Sequence, residues 1–549
     1  MANRYLQINP QDNVLVALQD LKKGEIITLG GVSFPLSEDV PQKHKFTLKA
    51  EPVGAEILLY GVLIGKTTKP VPQGGWLNVD NLKHAAHAFT GKISGKYQWV
   101  APDVGKWKDR TFMGYHRADG QVGTQNDWLV LPLVFCENRN ILRLKDAFQK
   151  ELGYAQPDQY RDHVKTLLAA FRKDGEAGAK GWQPPVTQTL KTPRPFPGVD
   201  GIKFIVHDGG CGGTRQDSNA LLALLAGYCV NPNVAGVTVL SLGCQHAQFN
   251  LLQAEIAKKD PNFAKPILFF EQQKYGTETN LMNAAIRETF LGLAEINKIK
   301  RAPAPLSKLT VGVKCGGSDG FSGISANPAV GHFADLLATL GGRPVLAEFP
   351  ELVGVEQELV DRCTTQENAD RFVSMMKQYE AEAIACGSSM DMNPSPGNIK
   401  DGLITDAIKS AGAAKKAGNS PVVDVLDYAE YATKPGLNLL CTPGNDVLAT
   451  TGMGGAGCQI TLFTTGLGTP TGNPVSEMVK VATNTALARR MPDIIDVDTG
   501  PVITGEKSVQ QMGEAILEYV IGLASGEYVT RSMELGQDDF IFWQRGVNL

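Results

Sequence analysis

No stretch of this 549-residue chain is apolar enough for long enough to cross a bilayer; the longest strongly apolar run, ALLALLAGYCV at 220–230, falls well short. The opening MANRYLQINPQD has neither the apolar core nor the cleavage site of a secretory signal, so a cytoplasmic protein with no membrane partner is expected. An excess of charge of one sign is also missing. Lys and Arg number 53 against 57 Asp and Glu, a net charge of -4, which gives no broad basic field for nucleic acid or an anionic membrane. The nine cysteines contain no CxxC pair and are odd in number, which argues against a disulfide framework.

Glycine, by contrast, is plentiful: 59 residues, clustered in loops beside apolar runs, as suits backbone packed around a ligand. Residues 1–92 carry short β-branched runs (GEIITLGGVSFPL, HKFTLKA, AEILLYGVLIGKTTKPV) and predict a small all-β domain. Residues 93–110 predict a linker. From residue 111 apolar runs alternate with helical stretches, the pattern of an α/β body with a largely parallel sheet, divided into a second domain at 111–300 and a C-terminal domain at 301–549. Residues 172–197, rich in Gly, Pro, Lys and Thr, predict an insertion or long loop.

Four expected strands end alike, running into Cys136, Cys211, Cys244 and Cys315, and each is followed by a polar or glycine-rich segment. In an open parallel sheet the ligand crevice lies beyond the carboxyl ends of the strands. VKCGGSDGFSGISANP (313–328) therefore predicts one wall of a site, with Ser318, Asp319, Ser322 and Asn327 as side-chain contacts. A cysteine at a strand end is commonly a small buried hydrophobe. Four in equivalent places make a thiolate-ligated iron site conceivable, although the missing CxxC spacing tells against an iron–sulfur cluster. His207, in the Gly-Cys loop, and His44, in PQKHKF, are each a metal ligand, a base or a satisfied core histidine. GMGGAG (452–457) matches GxGxxG but precedes a strand, and GVLIGKT (61–67) is too short for a Walker loop, so no nucleotide cofactor is expected.

KCGGSDGFSGISANPAVG, NPSPGN, TPGND, FTTGLGTPTGNP, HRADGQVGTQN, HDGGCGGTRQD and SLGCQ, taken in order, resemble the altronate and galactarate dehydratase family. The resemblance implies an N-terminal β-clip domain of the SAF type and two further domains forming the catalytic body. It also implies elimination of water from a small-molecule sugar acid with a divalent metal, iron(II) or manganese. Altronate would give 2-dehydro-3-deoxygluconate, a step in hexuronate catabolism. Under that resemblance His44 and His207 become candidate metal ligands or bases, and Asp319 with Ser318 grips substrate or metal. Asn327, Asn398, Asn445 and Asp446 would hydrogen-bond sugar hydroxyls, while Cys211, Cys244 and Cys315 would line the floor and touch the metal.

Several positions depart from the family pattern. Leu467 and Thr471 stand where an arginine and a tyrosine are expected, Gln125 where a basic residue is, and Gln245 where a glutamate is. Arginine is the natural bidentate partner of a carboxylate, so Arg117, Arg139 or Arg215 would have to replace the missing one. The competing expectations are a galactarate or other aldarate dehydratase, a sulfo-lyase, and a non-catalytic sugar-acid binding protein. A homodimer is the expected assembly.

Overall fold

The computed structural model describes residues 4–87, 89, 91–93, 95, 97–156, 159–185 and 193–548. The N-terminal domain is built from short strands paired only antiparallel. Its strand Val14–Ala17 is buried at every position, because successive side chains point to opposite faces and both faces are covered. Leu15 and Ala17 enter a small core with Ile27, Phe34 and Phe46. Val14 and Val16 enter the core of the C-terminal domain, together with Ile57, Leu59 and Ile64. The small domain is thus welded to the body by every second residue. The expected linker lies along the same body, where buried Trp107 donates to Glu518 Oε1 at 2.9 Å.

Two parallel sheets form the body. The first has the order Ile202–Phe204, Asp127–Pro132, Val234–Ser241, Ile267–Glu271. Leu129, Leu131 and Leu133 pack on one face of it, and Trp128 and Val130 on the other. Both faces being covered, the strands are mostly apolar. The second sheet has seven strands, ordered Val422–Leu426, Leu437–Leu440, Arg343–Leu346, Thr310–Cys315, Ile460–Thr465, Glu477–Ala482, Val497–Asp498. A small antiparallel sheet links the two: Thr111–His116 pairs with Arg301–Pro305.

In each sheet the chain leaves one strand to one side and later returns to its other side. Asp127–Pro132 is flanked by Ile202–Phe204 and Val234–Ser241, and Thr310–Cys315 by Arg343–Leu346 and Ile460–Thr465. Such switch points open a crevice at the carboxyl ends. The opposite ends of the sheets are joined. Glu477 accepts from Thr124 Oγ1 (2.5 Å) and Gln125 Nε2 (2.7 Å), and Asn233 Nδ2 donates to the carbonyls of Gln459 (3.0 Å) and Val475 (2.9 Å). Burial pushes the Glu477 carboxyl up to about 8, so it sits there as a neutral acid beside a neutral amide. Gln125 therefore belongs to the joint between the sheets.

The segment at 172–197 divides. Its first part continues the helix Gln159–Lys180, while residues 186–192 lie outside the described residues. GMGGAG is not a phosphate loop: it closes the helix Asp446–Gly455.

Candidate active site

The crevice of the seven-stranded sheet is lined by buried charge. Lys314, one residue before the end of its strand, is fully buried, and its Nζ lies 2.6 Å from Asp446 Oδ1 and 3.0 Å from Glu348 Oε1. It also stands over the Phe463 ring at 4.6 Å, with Lys480 Nζ over the same ring at 4.5 Å. Lys416 Nζ lies 2.6 Å from Cys315 Sγ, and Lys409 Nζ 2.9 Å from Glu351 Oε1. Cys315 Sγ donates in turn to Glu351 Oε2 at 3.2 Å. Glu348 is a non-glycine residue at φ 72, in the left-handed region. That conformation costs ~1–3 kcal/mol and persists only where the surroundings hold it. It turns the chain after Arg343–Leu346 so that the carboxylate reaches back to Lys314, while its N–H donates to Thr442 Oγ1 (3.0 Å).

Environment separates these groups by protonation. Burial pushes the Glu348 carboxyl up despite Lys314. Glu351 is equally buried, but Lys409 and Lys416 overcome the burial and hold it well below the usual range. Lys314 is raised, the pull of Glu348 and Asp446 outweighing its burial. Lys480 is pushed down to about 7 by burial. A raised acid paired with Lys314 and a lowered amine sharing the Phe463 ring with it form the pattern that general acid–base chemistry at neutral pH needs.

The loop 316–325 follows Cys315, and its glycines have two employments. Gly316 makes room for Asp446: a Cβ there would lie 2.3 Å from Asp446 Oδ1. Gly320 and Gly323 make room for the N-terminal domain, since a Cβ would lie 2.6 Å from the Lys43 carbonyl and 2.3 Å from the Tyr60 hydroxyl respectively. Asp319 is fully buried at this contact. Its Oδ2 meets Lys43 Nζ (3.0 Å) and Thr483 Oγ1 (3.1 Å), and its Oδ1 accepts from the Phe321 amide and Ser322 Oγ (both 3.2 Å). Lys43 also pairs with Asp401 Oδ1 at 2.8 Å and is itself at φ 74. Ser318 gives its carbonyl to Asn398 Nδ2 (2.7 Å), and its buried Oγ has no partner. Asn327 bridges Gly412 O (2.9 Å) and Thr464 Oγ1 (2.6 Å). Asn445 caps the helix Asp446–Gly455 through Val447 N and Leu448 N, both at 3.2 Å.

The structure distributes the remaining expected residues elsewhere. His44 donates from Nε2 to Lys400 O (3.1 Å) and accepts Trp76 Nε1 at Nδ1 (3.1 Å); burial pushes its pKa down. His207 likewise uses both nitrogens, Nε2 donating to Pro132 O (2.9 Å) and Nδ1 accepting the Gly209 amide (3.2 Å), and burial lowers it to about 4. Each ring is a neutral tautomer with both nitrogens engaged, His207 by backbone and His44 by backbone and the Trp76 indole. Cys211 and Cys244 are exposed at the carboxyl end of the four-stranded sheet, not beside the buried Cys315. Exposed Arg215 opens the helix Arg215–Val230 near them, and Arg139 pairs with Glu278 at 2.6 Å. Arg117 is buried at the joint between the sheets, committed to Pro232 O, Asn126 Oδ1 and Gln125 O, each at 2.9 Å.

Sequence reading passed over Lys314, Glu348, Glu351, Lys409, Lys416 and Lys480. A signal existed for two of them: LTVGVKC and EMVKVA each carry one lysine inside an apolar run, and a lysine in a central parallel strand must be paired. Cys315, Glu348 and Glu351 bring their ligand atoms within 4.8 Å of one another and form a group that could hold a metal ion. One thiolate and two carboxylates suit iron(II) or manganese in kind. In charge each donor already faces a lysine, so an ion enters only by displacing the Lys416 ammonium from Cys315.

Three family models cover the chain in order: the altronate/galactarate dehydratase SAF domain at 3–85, the second domain of galactarate dehydratase/altronate hydrolase at 114–297, and the galactarate/altronate dehydratase C-terminal domain at 306–548. Altronate dehydratase of Escherichia coli (strain K12) is 33% identical over 525 residues, 95% of this chain and 96% of its own. That of Bacillus subtilis (strain 168) is 33% identical over 551 residues, 99% of each. Galactarate dehydratase (L-threo-forming) of Escherichia coli (strain K12) is 29% identical over 539 residues, 97% of this chain and 95% of its own. With its SAF domain, second domain and C-terminal domain all accounted for, the chain belongs to the altronate/galactarate dehydratase family.

Proposed function

We propose that this chain, a hydro-lyase by its family, removes water from altronate to give 2-dehydro-3-deoxygluconate, at the crevice where Lys314, Glu348, Asp446 and Lys480 converge. The observation that carries the reading is the split in protonation between Glu348 and Lys480 around one buried cation. Loss of the C2 proton beside a carboxylate builds a second negative charge on the resulting enediolate, which needs a fixed cation in a dry site. Lys314, kept charged by Glu348 and Asp446, supplies it. Lys480, unprotonated above about 7, takes the C2 proton, and Glu348 gives a proton to the departing C3 hydroxyl. A divalent ion held by Cys315, Glu348 and Glu351 would add positive charge for the same enediolate as an alternative to Glu348 acting as the acid, since a ligating carboxylate carries no proton.

A monoacid is favoured over galactarate because Leu467 and Thr471 give the glycine loop no cationic side chain; exposed Arg490 reaches the Leu467 carbonyl, at 3.4 Å, and Lys480 the Thr471 carbonyl. The test supplies altronate, galactarate and their epimers separately, with and without iron(II) or manganese, and follows 2-keto acid. Turnover of altronate alone is expected. Tight binding without product from any of them would overturn the enzyme reading in favour of a binding protein.

The assigned base predicts the pH profile. A group titrating at about 7 must lose its proton to act, so kcat/KM should rise with pH through about 7, and fall again at higher pH as Glu348, the acid that burial pushes up, loses its own. Lys480→Met should remove the rising limb and lower the maximum by ~10²–10⁴-fold. A variant that keeps the wild-type limb would assign it to another group.

A further inference from the structure

Cys136, Cys211 and Cys244 lie outside the crevice used above, after three adjacent strands of the four-stranded sheet. Their loops are stitched together. The Phe135 amide donates to Gly209 O (3.2 Å), the Ala247 amide to Gly210 O (3.4 Å), and the Leu133 amide to Leu240 O (2.8 Å). Gly210 is at φ +96, and a Cβ on it would lie 2.0 Å from the Leu133 carbonyl, so only glycine lets the loops approach this closely. Gln245 pins the turn under Cys244, accepting the Gly243 amide (2.8 Å) and donating to Ser241 Oγ (2.5 Å) and Ala247 O (2.9 Å). His207 pins the turn before Cys211 through the contacts described above.

These three cysteines are free and exposed, whereas Cys229, Cys315, Cys363, Cys441 and Cys458 are buried. The hydrogen bonds that join the three loops gather these cysteines at one edge of the sheet. Among the described residues, only Cys315, Glu348 and Glu351 bring three ligand atoms within 4.8 Å of one another. The three strand-end sulfurs therefore stand wider than a single bare ion takes, and suit a cofactor that brings its own bridging sulfides. Phe540, 6.5 Å from the His207 ring, and Phe542, against Gly209, give the loops an apolar backing from the C-terminal tail.

We propose that Cys136, Cys211 and Cys244 ligate a four-iron–four-sulfide cluster, one thiolate on each of three irons, leaving the fourth iron open to an oxygen ligand. Each thiol gives its proton to solvent as it binds iron, and the iron and inorganic sulfide come from outside the chain. Exposed Arg215, four residues after Cys211, is the cation at hand for an anionic ligand of the open iron. The cluster does not rest on the dehydratase reading, which places its sugar acid in the crevice of the other sheet.

The test takes the full chain, purified without oxygen and reconstituted with ferrous iron and sulfide, and measures iron and acid-labile sulfide per chain together with the electron paramagnetic resonance of the reduced protein. Four irons and four sulfides are expected in the wild type. Cys136→Ser, Cys211→Ser and Cys244→Ser should each lose the cluster signal at least tenfold while melting as the wild type does, whereas Cys315→Ser and Cys386→Ser keep it. Iron without sulfide, zinc in its place, or a full signal in any of the three strand-end variants would overturn the proposal. Turnover on the same preparations separates the two ideas. Protein that carries the cluster but is inert on every sugar acid sinks the dehydratase reading alone, and active protein without a cluster sinks the cluster alone.

Discussion

Lys314→Met is expected to cost ~3–5 kcal/mol of stability and at least ~10²-fold in kcat, a double loss from one substitution. The stability loss follows from what remains behind. Glu348 and Asp446 lie 3.0 and 2.6 Å from the ammonium, and Glu348 is buried. Methionine fills much of the volume over the Phe463 ring but leaves their charge without its nearest counter-ion. The structure can respond only by protonating Glu348, already pushed up by burial, or by letting water in. The catalytic loss follows because the same ammonium is the one assigned to the enediolate. A second substitution separates these effects: adding Glu348→Gln to Lys314→Met removes both partners and should recover part of the stability but none of the rate. Denaturant titration and 2-keto acid assay of the two variants measure this. A single variant as stable as the wild type would mean that the lysine–carboxylate contacts carry no net energy.

That cluster also marks where reading the sequence stopped. The β domain, the parallel-sheet body and the crevice loops were legible because each rests on local signals: short β-branched runs in strands such as Ile26–Leu29, apolar runs in strands such as Val234–Ser241, and glycine-polar segments after them. The loop 316–325 was legible as a site wall, but the reason for its glycines was not. Gly320 and Gly323 answer to Lys43 and Tyr60, more than 250 positions away in sequence, and no local pattern carries such a contact. The strands Leu437–Leu440 and Glu477–Ala482 went unread because three leucines around one asparagine, or an apolar run broken by Glu and Lys, do not distinguish a strand from other buried segments. The histidines drew attention through chemistry they are free to perform only when a ring nitrogen is unengaged, and both nitrogens are occupied in each: in His44 by the Lys400 carbonyl and the Trp76 indole, in His207 by the Pro132 carbonyl and the Gly209 amide. The lysines were overlooked for the converse reason. A lysine in a sequence reads as surface, and only the fold shows Lys314, Lys416 and Lys480 at the bottom of a crevice with acids arranged around the first two.

The second large effect lies at the contact between the N-terminal domain and the glycine loop. Asp319 receives Lys43 from one side and Thr483 from the other, accepts two bonds from its own loop, and packs where a Cβ on Gly466 would come within 2.1 Å of its Cγ. It thereby joins both loops of the switch point to the small domain with one carboxylate. Lys43→Met should be the more damaging change at this contact. It leaves the buried Asp319 side chain without its cation, a loss of ~3–5 kcal/mol, whereas Asp319→Asn leaves Lys43 its bond to Asp401. Both variants should speed amide hydrogen exchange across the strand Lys45–Thr47 and the turn 400–402, because Gly320 N–Asp401 O and Lys45 Nζ–Gly402 O bind the same surfaces together. Turnover should fall with docking, since the loop that Asp319 fixes is continuous with Cys315 and Gly316 at the charged cluster. If exchange at 45–47 stays at the wild-type rate in Lys43→Met, the small domain is held by its apolar face alone, through Val14, Val16 and Ile57. The ion pair would then serve only to orient the loop, and activity should drop without any loss of stability.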